Sequence, residues 1–199
     1  LDVDALAISA HKFGGPKGGG VFYLRRGIPF LPQLTGGGQE RQRRAGTENV
    51  PAIIGTALAL ELATNRLKTA DAHLPMLTTR LVESLLRVPG SRLNGPREGR
   101  LPNNVNVSFA GVDGEALLLA LDREGIAVST GSACASATWE PSHVLMAMGV
   151  PAEYAAGALR LSLAGSNTEA EIGRAIATIA AAVTRLRGSS QSGASAAGG

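Results

Sequence analysis

Cysteine and lysine are both scarce in this chain of 199 residues. A single cysteine, Cys134, excludes an internal disulfide and points to a reducing, cytoplasmic compartment. Lys12, Lys17 and Lys68 are the only lysines, so nearly all positive charge is arginine. The arginines are spread along the chain, with one local cluster at Arg41, Arg43 and Arg44. At a net charge of +3 that spread argues against a nucleic-acid-binding stripe. No apolar run is long enough to cross a membrane as a helix, and no charged leader with a signal-type apolar core opens the chain. It begins at Leu1, in a stretch that reads like the middle of a folded domain, so a fragment of something longer is expected. With 44% hydrophobic and 18% charged residues, the composition is that of a soluble globular protein. The length suffices for one sizeable core or for parts of two domains.

Apolar and helical periods alternate along the chain, which makes the class α/β. Ala5 to Ile8 reads as a buried strand. Gly14 to Gly20 is a glycine-rich turn, and Val21 to Leu24 reads as a second strand. Asn49 is an N-cap and Pro51 fits a first helical turn, ahead of Ile53, Ile54, Ala57, Leu58 and Leu62 at helical spacing. That pattern continues to about Leu86, with a break expected at Pro75. Val105, Val107 and Phe109 alternate with Asn106 and Ser108 as a half-buried strand. Asp113 caps a helix, Ile126 to Val128 reads as a strand, and Pro141 opens a helix through Met148. Leu159, Leu161 and Leu163 share one strand face, which puts Arg160 and Ser162 on the other. Thr168 and Glu171 form a capping box before a core stripe of Ile172, Ile176, Ile179, Val183 and Leu186. The Gly/Ser/Ala end of the chain reads as disordered.

Two places carry chemistry. Lys12 stands between a strand end and a tight turn, where a Schiff-base lysine can be held. His11 beside it can contact an anion, and the Ser9 hydroxyl falls on the same side of the chain. The alternative is a surface lysine next to an incidental histidine. Cys134 lies in a run of small residues suited to a mobile nucleophile. Its alternative is a small buried hydrophobe. His143 reads as a capping or exposed histidine, with assistance to the thiolate as the other reading. The arginine cluster reads as a solvated loop, a dimer contact or a surface for an acidic partner.

Four stretches, in order, resemble the cysteine desulfurases of the class V aminotransferase superfamily. Ser9-Ala10-His11-Lys12-Phe13-Gly14-Gly15-Pro16-Lys17-Gly18 resembles their pyridoxal-phosphate lysine motif. Gly36 to Arg41, with Arg44-Ala45-Gly46-Thr47, resembles their Gly-rich loop. Leu101 to Phe109 resembles their small-domain strand and Ser129 to Ser136 their reactive-cysteine loop, whose Gly-Ser-Ala-Cys form, running into Trp139-Glu140-Pro141-Ser142, resembles the branch that supplies iron–sulfur assembly. Gln39 and Gln42 depart from the histidine and glycine common in relatives, without touching an assigned role. The resemblance implies the C-terminal part of a fold-type I pyridoxal-phosphate transferase: 1–66 the end of the cofactor-binding large domain, 67–188 the small domain, 189–199 a disordered tail. It implies that Lys12 bonds the cofactor and shuttles a proton, that Ser9 and His11 hold its phosphate, and that Thr47 reaches the phosphate in the partner of a homodimer. It implies that Arg160 grips the carboxylate of substrate L-cysteine. Cys134 would then take the sulfur as a persulfide and pass it to an acceptor or scaffold protein, for iron–sulfur assembly or tRNA thiolation. No metal site is implied. Another pyridoxal enzyme, an aminotransferase or selenocysteine lyase, and a non-catalytic fragment that needs a separate N-terminal half are the alternatives. The N-terminal half of such enzymes, with the ring stacked on the cofactor and the acid at its pyridine nitrogen, has no counterpart in these residues.

Overall fold

The structure is a computed structural model that describes residues 2–68, 73–131 and 141–196, with side chains for 2–67, 73–131 and 141–189. It divides into two compact units, Leu1–Asp71 and Ala72–Gly199. Each unit is described by itself.

In the first unit, β1 (Ala5–Ser9) and β2 (Gly20–Leu24) form an antiparallel ribbon in the register Ser9↔Gly20 to Ala5↔Leu24. A 3-10 helix (Ala10–Phe13) follows β1, a short turn labelled α1 spans Gln39–Gln42 with non-helical backbone inside it, and α2 runs Val50–Lys68. The expectation of a buried sheet does not hold. Val21, Phe22 and Tyr23 are exposed, because a two-stranded ribbon lies under no apolar layer here. The helical periodicity from Val50 is correct, and Asn49 caps it, its Oδ1 accepting from the Ala52 N–H at 3.2 Å. Yet Ile53, Ile54, Leu58 and Leu62 face outward, and the buried positions are the small Thr56 and Ala59. The helix packs by close backbone approach: a Cβ on Gly55 would stand 3.2 Å from the Pro16 ring.

The second unit holds a three-stranded antiparallel sheet in the order β3-β4-β5: Ser91–Leu93, Asn104–Phe109 and Ala158–Ser162. Helices α3 (His73–Leu85), α4 (Gly114–Arg123) and α7 (Glu169–Ala196) cover one face. Val105, Val107 and Phe109 point into that layer, as their alternation predicts. They meet Leu77, Leu81 and Leu85 of α3, Leu117 and Leu121 of α4, and Ile179 and Val183 of α7. Burial of each such side chain stabilises by roughly 1.5–3 kcal/mol. The short helices α5 (His143–Ala147) and α6 (Ala152–Ala155) carry a smaller cluster of Leu145, Val150, Ala155 and Ala158. Among the described residues no helix is long and apolar enough to cross a membrane.

The structure refines the sequence expectations at four points. The break expected at Pro75 is seen as two helices, α2 ending at Lys68 and α3 beginning at His73, with Pro75 in the first turn of α3, where its missing N–H has no helical partner to lose. Ile126 to Val128 forms no strand, and pairing begins only at Ser129. The helix after Pro141 starts at His143, after Ser142 at the N-cap, and ends at Ala147. The 189–199 tail is helical as far as Ala196, because an established helix adds one hydrogen bond per residue and Ala and Ser tolerate it.

The capping box is present in full. The Thr168 N–H donates to Glu171 Oε2 at 2.8 Å, and the Glu171 N–H donates to Thr168 Oγ1 at 3.2 Å. The backbone hydrogen bond from Thr168, followed by the Asn167 amide, holds the Glu171 carboxyl below its ordinary value. A depressed carboxyl stabilises the fold above its unfolded-state value and loses that contribution as pH falls through the folded value. Glu171→Gln should therefore melt below the parent at neutral pH, with the gap closing in acid beneath the ordinary glutamate range. Melting curves across that range check it; an unchanged gap at low pH would contradict the linkage.

Candidate active site

The lysine turn follows from three local constraints. β1 ends at Ser9, and the Ala10 N–H donates to the Gly19 carbonyl at 3.0 Å, closing the base of the turn. The 3-10 helix ends at Gly14, whose φ of 89° favours glycine. Ala10 is completely buried, while its neighbours His11 and Lys12 are exposed. The turn thus anchors itself through a methyl group and displays an imidazole and an amine. At Gly19 a Cβ would stand 2.7 Å from Thr56 Oγ1, so this glycine lets α2 support the turn from below. The Thr56 hydroxyl donates to the Ala52 carbonyl at 2.7 Å, which fixes that support.

Ser9, His11 and Lys12 therefore lie within one exposed turn. A hydroxyl, an imidazole and an amine, with no recorded partner among the described residues, make a donor set that suits a phosphate and an aldehyde together. Thr47 is exposed in the same unit, on the loop leading to α2. Glu40, Arg41 and Gln42 on that loop take positive φ of 49°, 58° and 64°, an uncommon backbone for non-glycine residues. Arg41, Arg43 and Arg44 are all exposed.

The second unit holds Arg160, half-buried on β5. Leu159 and Leu161 beside it point into the core, so Arg160 takes the opposite face, as the period of two requires. No ion pair or hydrogen bond claims its guanidinium among the described residues. Its backbone pairs with Ser129: the Ser129 N–H donates to the Arg160 carbonyl at 3.1 Å, and the Arg160 N–H to the Ser129 carbonyl at 2.6 Å. Ser129, shortly before Cys134 in the chain, is thereby held against the arginine's own strand. Cys134 itself lies outside the described residues. His143 begins α5 and is exposed.

Sequence reasoning gave no role to the polar side of β4. There Asn94 Nδ2 donates to Asn106 Oδ1 and to Ser108 Oγ, both at 2.7 Å. Asn94 and Ser108 are 4% and 0% exposed, so this is a buried polar network. Asparagine is a poor strand former, and its recurrence at 104 and 106 in a strand is the signal that marks the spot.

The class-V aminotransferase family model matches residues 1–174. The chain belongs to that family. Its members are pyridoxal-phosphate enzymes, and the Ser9–Lys12 donor set fits that coenzyme. Among this family's curated members, the chain is 50% identical over 187 residues to "Cysteine desulfurase IscS" of Methanosarcina thermophila, covering 94% of this chain and 46% of the relative. It is also 50% identical to "Cysteine desulfurase IscS" of Clostridium botulinum strain Hall, over 86% of this chain and 44% of the relative. Among solved structures, "NIFS-like protein" superposes with a TM-score of 0.82 at 41% identity, over 93% of this chain and 47% of that one. The apo cysteine desulfurase of Thermococcus onnurineus gives a TM-score of 0.76 at 25% identity, covering 94% and 48%. The fold is thus that of the fold-type I pyridoxal-phosphate enzymes, and the chain spans about half the length of these relatives.

Proposed function

We propose that this chain is the lysine- and cysteine-bearing part of a cysteine desulfurase, which converts L-cysteine to L-alanine and holds the sulfur on Cys134. The observation that carries the reading is the pairing of Ser129 with Arg160. It holds Ser129, shortly before Cys134 in the chain, against a strand whose half-buried Arg160 guanidinium has no partner among the described residues and is of the kind that binds a substrate carboxylate through two parallel hydrogen bonds.

In this reading Lys12 Nζ bonds the coenzyme and then moves a proton. Ser9 and His11 hold its phosphate, with Thr47 reaching a phosphate from the partner of a homodimer. When bound, pyridoxal phosphate supplies an electron sink that weakens the substrate's carbon–sulfur bond. Arg160 orients the substrate by its carboxylate. The Cys134 thiolate is the attacking form. The balance is closed: L-cysteine and one thiol become L-alanine and one persulfide, with no outside oxidant. The relatives named IscS support iron–sulfur assembly as the destination of the sulfur, through an acceptor or scaffold protein. The single cysteine supports a reducing, cytoplasmic setting. The open apolar faces of α2 and β2 are the surface for the rest of a full-length enzyme and for its dimer partner.

The test is product analysis. A full-length enzyme containing this chain should yield L-alanine and sulfur from L-cysteine in equal amounts. An α-keto acid in place of alanine would assign it to transamination instead.

A further inference from the structure

A row of polar residues crosses the second unit's sheet. Asn94 stands opposite Asn106, whose carbonyl accepts from the Asn94 N–H at 2.9 Å. Asn106 stands opposite Arg160, and Arg160 opposite Ser129. Directly opposed residues project to the same face of a sheet. The Arg160 backbone bonds to Ser129, and the Asn106 carbonyl turns toward Asn94, so Asn106 and Arg160 form a non-hydrogen-bonded pair. In such pairs the Cα atoms are only about 4.5 Å apart and the side chains lie closest.

The Asn106 amide is not free to turn. Its Oδ1 accepts from the buried Asn94 Nδ2, which is itself held by Ser108. Asn94 has no donor to spare: both its amide hydrogens are used, and its own buried Oδ1 has no partner among the described residues. With its oxygen taken, Asn106 has only its amide N–H groups left to offer, and these have no recorded partner among the described residues. Had the oxygen been left over, it would accept from the guanidinium and occupy Arg160.

We propose that Asn106 is a second ligand of the anion site at Arg160. Its amide N–H donates to the same carboxylate, and Asn94 is the positioning residue that fixes the amide in its donating orientation. The inference rests on the reading of Arg160 as the substrate-carboxylate residue. It adds a neutral donor beside the cationic one, in a place where a carboxylate has oxygens to spare after the guanidinium is satisfied.

The test is equilibrium binding of L-alanine to the full-length holoenzyme by calorimetry, with L-alaninol as the ligand that lacks a carboxylate. Asn106→Ala should weaken L-alanine about tenfold, the loss of one hydrogen bond to a charged group, and leave L-alaninol unchanged. Asn106→Asp keeps an acceptor for Asn94 but pairs with Arg160 and repels the ligand, so it should weaken L-alanine further. Asn94→Ala should weaken L-alanine severalfold in the parent and have no further effect beside Asn106→Ala. Equal weakening of both ligands would mean a structural role and overturn the proposal. So would unchanged L-alanine binding in both Asn106 variants while Arg160→Ala loses it; the function reading would then stand alone. If Arg160→Ala also binds L-alanine normally, the reading beneath the proposal fails with it.

Discussion

Lys12→Ala, made in the full-length enzyme, should abolish the conversion of cysteine to alanine. Loss of a positioned proton-transfer group alone costs about 10²–10⁴-fold, and here the attachment of the coenzyme is lost as well. The expectation follows from the turn. Buried Ala10 fixes the 3-10 helix, Gly14 ends it, and the amine is presented at the end of β1 next to His11. Lys17, exposed farther along the same glycine-rich turn, provides the control. Lys17→Ala should keep its activity and its bound coenzyme. Activity surviving in Lys12→Ala, or failing equally in Lys17→Ala, would remove Lys12 from its role.

Cys134→Ala should separate sulfur transfer from coenzyme binding. The variant should load pyridoxal phosphate as the parent does, because Ser9, His11 and Lys12 are untouched. After incubation with sulfur-labelled cysteine, the peptide bearing residue 134 should carry no bound sulfur under non-reducing conditions, and the variant should pass none to an acceptor. The thiol is the only one in this chain, and it follows shortly after Ser129, which pairs with Arg160. Label bound to the variant at the parent's level would contradict the persulfide role.

Much of the second unit was legible because its signals are local. The alternation in Asn104–Phe109, the Asp113 cap and the Thr168–Glu171 box each rest on residues a few positions apart, and each is realised. β3 was not legible: Ser91-Arg92-Leu93 carries no strand pattern, and it is a strand only because β4 pairs with it. Ile126 to Val128 has the composition of a strand, yet its chain finds a ladder partner only from Ser129. In the first unit, apolar spacing located α2 correctly, but its large apolar residues are exposed and its buried positions are small. The contact with the lysine turn is made through Gly19, Gly55 and Thr56 rather than through large side chains.

The same division runs through the candidate site. Ser9, His11 and Lys12 fall within one short run, Ser9-Ala10-His11-Lys12, so their grouping could be read directly. The opposition of Asn106 and Arg160, and that of Arg160 and Ser129, belong to strand register across long separations, which no local spacing encodes. The buried Asn94 network depends on that register too, which is why its asparagines read only as part of a motif.

The most direct measurement is borohydride reduction of the full-length, coenzyme-loaded enzyme, followed by peptide mapping. The reduced coenzyme should be bound covalently to the peptide that carries Ser9-Ala10-His11-Lys12, at the Lys12 Nζ. Label on another lysine, or no label on protein that retains desulfurase activity, would contradict the account.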